Sequence, residues 1–162
     1  MKAVVQRVIS ASVTVEGKII SSIQKGLLVL IGVESGDTFN DGEILANKIV
    51  KLKVFPGPRL LTQAGDEDET ALPKQWDRSV LDIDGEILCI SQFTLMASVK
   101  KSKPSFHRAE SPKLANQIYE HVLANMRIQH GLGDKVKDGQ FGAYMQVGLV
   151  NDGPVTIELA SR

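Results

Sequence analysis

Two small hydroxyl side chains and an amide follow an apolar segment in the middle of the chain. They belong to a four-residue motif that comes directly after the apolar residues 87–90: Ser91, Gln92, Phe93 and Thr94. Backbone N–H groups at the end of a strand, together with nearby hydroxyls, can donate hydrogen bonds to a developing oxyanion, as acyl transfer requires. On composition alone, a strand that emerges into solvent is an equally good interpretation.

A second motif lies near the end of the chain and has the composition of a tight turn. Its residues are Asn151, Asp152, Gly153 and Pro154. A Gly-Pro peptide bond can adopt the cis form at low cost, which would direct two neighbouring carbonyl groups to the same side. Such a pair could act as a rigid chiral barrier beside a ligand. An ordinary turn is the simpler interpretation of these residues.

Basic side chains cluster between these two motifs, at Lys100, Lys101, Lys103, His107 and Arg108. A solvated loop explains them most simply, and contact with the phosphates of a nucleic acid is the functional alternative. Phe106 is the aromatic residue within the cluster. The sequence therefore predicts no aromatic-rich platform of the kind that binds single strands.

Residue types that serve nucleophilic hydrolases and metalloenzymes are scarce, because the chain has 1 cysteine and 3 histidines. Cys89 lies inside an apolar segment, where a cysteine usually acts as a small buried hydrophobe. No cluster has zinc-ligand spacing, and nothing in the spacing favours a Ser–His–Asp triad. We therefore expect no metal and no cofactor.

Charge and hydrophobicity limit the class of protein. The 19 basic and 19 acidic residues balance, which argues against a globally basic nucleic-acid-binding protein but allows a local patch. Residues 1–10 alternate apolar and polar types and lack the core of a secretory signal. The longest apolar run, residues 27–33, is too short to span a bilayer. We expect a cytoplasmic protein with no membrane partner.

Hydrophobic periodicity predicts the elements that position these motifs. Strands are predicted in residues 2–33, 86–95, 144–150 and 155–159, and helices in residues 38–53 and from Ser111-Pro112 to before Gly131. Residues 56–78, with an acidic run at 66–69, are predicted to form a long surface excursion. The order of elements predicts an α+β fold with a strongly curved mixed sheet, in a single domain over residues 1–162.

Six segments together resemble the D-aminoacyl-tRNA deacylase family from end to end, in order and in separation. They are residues 5–8, 26–33, 91–95, 103–107, 138–145 and 151–156. The resemblance implies a homodimer with a barrel-like α+β fold and two main helices. It also implies hydrolysis of the ester between a D-amino acid and the 3′-terminal adenosine of tRNA, and removal of glycine from tRNA(Ala).

The resemblance assigns a role to each motif. Residues 91–94 would line the ester site, with the oxyanion bound by backbone N–H groups near Gln92 and Phe93. Gly153 and Pro154 of each subunit would project into the partner's pocket, where their carbonyl groups exclude L side chains. The 2′-hydroxyl of the terminal adenosine, rather than Thr94, would assist the reaction.

The resemblance also implies supporting roles. Arg7 would anchor the Gly-Pro pair, and Phe141 and Met145 would lie near the pocket. Ser102 stands where the family commonly has glycine, so we expect a local change of the loop without loss of activity. Two other hypotheses remain: a nucleic-acid-binding module without catalysis, and a small-molecule-binding or purely structural dimer.

Overall fold

The computed structural model describes residues 1–59 and 71–162. Three strands begin the chain, of which the first pairs antiparallel with each of the other two, and a helix follows them. In chain order the elements are β1 (Lys2–Val15), β2 (Lys18–Ile23), β3 (Gly26–Gly32), α1 (Phe39–Lys51), β4 (Glu86–Ser91), a 3₁₀ helix (Phe93–Met96), β5 (Ser98–Lys100), β6 (Lys103–Ser105), α2 (Pro112–Ala124), a π-helix (Asn125–Gln129), a 3₁₀ helix (Gly133–Lys135), β7 (Val136–Asp138) and β8 (Gln146–Ala160).

Six strands form one mixed, barrel-like sheet in the order β2-β1-β3-β4-β7, with β8 paired to β1. β1 is long enough to pair with β3 through residues 2–8 and with β2 through residues 11–15. β3 and β4 are parallel, as are β4 and β7. The other pairs in this sheet are antiparallel, so the mixed α+β fold expected from the sequence is confirmed.

The larger hydrophobic core lies between the sheet and the two helices. Ile49 of α1 and Val122 of α2 are fully buried there against Val29 of β3. A smaller core on the other side of the sheet contains Val13 and Leu28. Consecutive residues of β3 are therefore buried on both faces, which explains its continuous apolar sequence.

Helix α1 begins where its residues form a capping box. The Thr38 side chain accepts a hydrogen bond from the backbone N–H of Asp41, and the Asp41 carboxylate accepts one from the backbone N–H of Thr38. Hydrogen bonds from the Thr38 hydroxyl and backbone lower the pKa of Asp41 to about 2. This pairing satisfies N–H groups that a helix start leaves without partners.

Three predicted boundaries are wrong. The strand predicted over residues 86–95 ends at Ser91, because the chain turns into a 3₁₀ helix. The two strands predicted over 144–150 and 155–159 are one strand, β8, because β1 is long enough to pair on both sides of the Gly-Pro motif. The basic loop contains a hairpin, β5–β6. Of the surface excursion predicted over residues 56–78, residues 60–70, which include the acidic run at 66–69, lie outside the described residues.

The β5–β6 hairpin turns through Lys101 and Ser102, whose φ angles are 49° and 61°. Two-residue hairpin turns of this type need positive φ at both positions, and glycine or asparagine is the usual choice. Lys101 and Ser102 are neither glycine nor asparagine, so the sequence contains no indication of a hairpin. The geometry also gives a physical reason for a glycine at the position of Ser102.

Candidate active site

The oxyanion-hole candidate motif lies where β4 ends. The backbone N–H of Gln92 donates to the Ile31 carbonyl at 2.7 Å, which continues the β3–β4 pairing one residue past β4. The 3₁₀ helix then begins at Phe93. The first N–H groups of a helix have no acceptor within it, so those of Phe93 and Thr94 are suited to hold an oxyanion.

A cavity of about 630 Å³ opens beside this motif. Of the eight aromatic residues in the chain, all of them in its described part, five line the cavity: Phe93, Phe106, Tyr119, Phe141 and Tyr144. They come from four different segments, and tertiary packing alone brings them together. Phe106, Tyr119 and Tyr144 are site residues that the sequence did not indicate.

One wall of the cavity is the segment between β7 and β8. Arg127 of the π-helix holds β7 at both ends, donating to the Val136 carbonyl at 3.0 Å and to the Asp138 carboxylate at 2.9 Å. A Cβ atom on Gly139 would lie 2.6 Å from Met145 Sδ. A larger residue at position 139 would therefore require the Met145 thioether to shift within the wall. Phe141, in the same wall, packs on buried Tyr119 with ring centroids 5.9 Å apart.

The structure brings most of the predicted ester-site residues to this cavity. Its lining includes Ser91, Gln92 and Phe93 as well as Phe141 and Met145. Within the described part of the chain, Thr94 is not among the lining residues. Its exposed hydroxyl accepts a hydrogen bond from Gln92 Nε2. The hydroxyl of Thr94 therefore belongs to the rim rather than to the floor of the site.

Gly153 and Pro154 lie elsewhere on the same chain. Gln6 pairs with Thr156 and Val8 with Asn151, so residues 152–155 of β8 bulge out opposite the single residue between those partners. Both motif residues are exposed, their peptide bond is cis, and among described residues neither lines the cavity. The cavity and the bulge are thus separate features of one chain.

Arg7 is the residue opposite the bulge, and it holds the bulge from inside. Its Nε donates to the Asp152 carbonyl at 3.0 Å and lies 3.2 Å from an Asp152 carboxylate oxygen. Its Nη1 donates to the Val54 carbonyl. Gly153 has φ +125°, and a Cβ there would lie 2.9 Å from Arg7 Nη2. The predicted contact between Arg7 and the Gly-Pro motif is therefore present.

Cys89 offers no alternative nucleophile at this site. Complete burial raises the pKa of the Cys89 thiol, so the thiolate that would act as a nucleophile is disfavoured. In residues 1–59 and 71–162 no three histidine, cysteine or acidic side chains converge as metal ligands. Lys100, Lys101 and Lys103 are exposed on the β5–β6 hairpin. No helix of the described residues could cross a membrane.

Comparisons with known proteins agree with this geometry. A family model described as D-Tyr-tRNA(Tyr) deacylase matches residues 4–160. The D-aminoacyl-tRNA deacylase of Yarrowia lipolytica is 50% identical over 163 residues, covering 100% of this chain and 98% of that protein. The human D-aminoacyl-tRNA deacylase 1 is 47% identical over 161 residues, covering 99% of this chain and 70% of that protein.

Solved structures give the same fold. The c-Myc DNA Unwinding Element Binding Protein has a TM-score of 0.85 at 46% identity, with 100% of this chain and 99% of that chain covered. A probable eukaryotic D-amino acid tRNA deacylase has a TM-score of 0.78 at 17% identity, with 98% and 97% covered. The latter likeness concerns the fold alone.

A concave apolar cavity with backbone donors beside it is typical of a binding site for a small ligand. The chain belongs to the D-aminoacyl-tRNA deacylase family, whose members are hydrolases of an ester bond. The family resemblance drawn from the sequence is thereby confirmed.

Proposed function

We propose that this protein is a homodimeric editing enzyme that hydrolyses the ester of D-aminoacyl-tRNA and rejects L-amino acids by means of the Gly153-Pro154 bulge of the partner subunit. One observation carries the proposal: the ester-site cavity and the exposed bulge occur on the same chain but apart. A second copy of the chain would supply the bulge to the cavity. Hydrolysis of D-tyrosyl-tRNA and not of L-tyrosyl-tRNA is the experiment that tests it.

An exposed apolar surface supports the homodimer. It consists of side chains on β8 and on its neighbours β1 and β2, the strands that carry or flank the bulge: Ile9, Ile19, Ile20, Leu149 and Val150. Ile19 is 68% exposed and Val150 is 54% exposed. Apolar side chains that are exposed on neighbouring strands are candidates for burial in a protein interface, and the same strands on each copy suit a two-fold dimer.

Val150→Asp should convert the dimer to monomers and lower deacylation of D-tyrosyl-tRNA by at least about a hundredfold. The reason is that a carboxylate buried in an apolar interface without a partner costs several kcal/mol. Sedimentation velocity reports the assembly, and release of labelled tyrosine reports the activity.

Ile128→Asp is the matched control for that variant. Ile128 is 75% exposed on the π-helix, away from β1, β2 and β8. This variant should remain dimeric and active. A Val150→Asp protein that is monomeric yet fully active would show that the cavity needs no second copy.

The proposed chemistry uses positioning rather than a protein nucleophile. The backbone N–H groups of Phe93 and Thr94 stabilise the oxyanion that forms when the ester carbonyl is attacked, whereas that of Gln92 already donates to the Ile31 carbonyl. The 2′-hydroxyl of the terminal adenosine lies beside that ester and assists the attack. The Thr94 hydroxyl already accepts a hydrogen bond from Gln92 and lies at the rim, which supports a role for the RNA hydroxyl in its place.

In this proposal the enzyme selects D-aminoacyl-tRNA because its site excludes L-amino acids. The carbonyl groups of the partner's Gly153-Pro154 bulge, anchored by Arg7, occupy the space that an L side chain would need. A D side chain points away from them, and glycine has no side chain to reject. The enzyme would therefore also remove glycine from tRNA(Ala). It would need no metal and no cofactor, and would act in the cytoplasm, where aminoacyl-tRNA is made and used.

A second candidate function is nucleic-acid binding without catalysis. The lysines of the β5–β6 hairpin favour it, as does the name of the DNA unwinding element binding protein that shares this fold. In that case generic DNA or RNA would bind as tightly as charged tRNA, and no ester would be cleaved. For a purely structural or small-molecule-binding dimer, Gly153→Ala would change stability alone.

A further inference from the structure

The basic hairpin and the aromatic lining meet at one edge of the cavity. Phe93 begins the 3₁₀ helix that leads into β5, and Phe106 directly follows β6. The two rings therefore lie on either side of the open end of the hairpin, one before β5 and one after β6. Phe93 is 59% exposed and Phe106 is 36% exposed, which is unusual for large apolar side chains that already contact each other. Their sequence positions gave no sign of this pairing.

The two rings are held in place without covering one another. Their centroids are 5.0 Å apart, and their planes meet at 74°. In such an edge-to-face contact the rings support each other, while ring faces stay available for stacking. Beyond them lie the exposed ammonium groups of Lys100 and Lys103, on paired residues of the hairpin.

An exposed aromatic ring next to lysine side chains is suited to bind single-stranded nucleic acid. Unpaired nucleobases stack on aromatic side chains, while lysines neutralise the phosphates between them. The cavity of about 630 Å³ accommodates the terminal aminoacyl-nucleoside. The RNA chain attached to that nucleoside must therefore cross the rim of the cavity. On the hairpin side of the cavity that rim is Phe106.

We propose that Phe106, braced by Phe93, is the stacking platform for the nucleobase that precedes the terminal adenosine of the tRNA 3′ end, and that the hairpin lysines contact the phosphates next to it. This inference rests on the proposed function and adds to it a binding site for the second nucleotide. The site recognises a single-stranded end by stacking, so it is tolerant of the base. Phe106 is thus a binding residue and takes no part in the chemistry.

The test compares two substrates of different length. One is the D-tyrosyl ester of the trinucleotide C-C-A, and the other is the D-tyrosyl ester of adenosine alone. Phe106→Leu keeps most of the apolar volume but removes the ring face. We expect it to lower kcat/KM for the trinucleotide ester about tenfold more than for the adenosine ester, the size of effect that loss of one stacked base produces. Phe106→Tyr should restore the wild-type ratio.

Phe39→Leu is the matched control. Phe39 is 46% exposed and makes an edge-to-face contact with His121, 5.2 Å between centroids, outside the cavity lining. It should leave both kcat/KM values unchanged. Equal losses on the two substrates for Phe106→Leu, or no loss on either, would overturn the stacking proposal.

A binding measurement separates this proposal from the proposed function. Unacylated C-C-A and adenosine are titrated into wild-type protein and Phe106→Leu, which needs no turnover. Selective weakening of C-C-A binding supports the platform even if wild-type protein hydrolyses neither ester, a result that would contradict the editing function instead. Identical affinities of the two proteins for C-C-A would overturn the platform alone.

Discussion

Replacement of Gly153 by alanine should reduce the preference for D-tyrosyl-tRNA over L-tyrosyl-tRNA by at least about a hundredfold. Gly153 has φ +125°, where L residues are strained. An added Cβ would lie 2.9 Å from Arg7 Nη2 and 2.9 Å from Val155 Cγ2. Arg7 is held by the Asp152 and Val54 carbonyls, so the bulge itself must shift. A barrier that acts by a close steric fit loses its selectivity when it moves.

Gly17→Ala separates this effect from general backbone strain. Gly17 also has positive φ, at +76°, but nothing lies within 4 Å of an added Cβ. It is the second residue of the two-residue turn between β1 and β2. This variant should lose stability by about 1–2 kcal/mol and keep the full preference for the D substrate. If Gly153→Ala also lost stability alone, with its preference intact, the bulge would have no part in selection.

A substrate whose terminal adenosine lacks the 2′-hydroxyl should react at least about a hundredfold more slowly, which is the usual contribution of one positioned proton-transfer group. Among the described residues, the Cys89 thiol is buried and the Thr94 hydroxyl is hydrogen-bonded to Gln92 outside the cavity lining, so neither is placed to replace the RNA hydroxyl. Single-turnover rates for D-tyrosine attached through the 3′-oxygen of adenosine and of 2′-deoxyadenosine make the comparison.

Thr94→Ala completes that experiment. It removes a hydrogen-bond acceptor for Gln92 Nε2 but leaves the backbone N–H donors in place. Activity within about fivefold of wild type is expected, since a group outside the reaction contributes only through local order. A folded but inactive Thr94→Ala protein, together with rapid cleavage of the deoxy substrate, would identify threonine as the nucleophile.

The fold could be predicted from the sequence wherever local periodicity decides it. The alternation in β1 and the apolar stripes of α1 and α2 specify their elements, because each buries one continuous face, and the apolar run of β3 specifies a strand buried on both faces. Residues 151–154 have the composition of a turn, so two separate strands were predicted there. In the structure these residues form a bulge inside one long strand. That outcome depends on the length of β1, which local sequence does not reveal.

The candidate site was predictable in part, for the same reason. Residues 91–94 and Arg7 carry the family pattern, and the structure places them beside the cavity and the bulge. The aromatic residues Phe106, Tyr119 and Tyr144 could not be assigned to the cavity, because they come from segments that only tertiary packing unites. The isolated Phe106 suggested that no platform existed, and its partner Phe93 lies on the other side of the hairpin.

Mixed dimers test most directly whether one subunit completes the site of the other. One subunit carries Gly153→Ala with an intact cavity. Its partner carries an intact bulge and Ala143→Trp, a replacement in the cavity lining that fills the pocket. The Ala143→Trp homodimer, inactive on both substrates, is the control. Differently tagged subunits are purified as the heterodimer, and hydrolysis of D- and L-tyrosyl-tRNA is measured.

If the bulge acts on the partner's cavity, the one open cavity in this heterodimer faces an unaltered Gly153. The wild-type preference for the D substrate should then return, at about half the wild-type rate per dimer since one of two sites is open. A heterodimer with the weak preference of the Gly153→Ala homodimer would contradict the account, because the open cavity would then be using the bulge of its own chain.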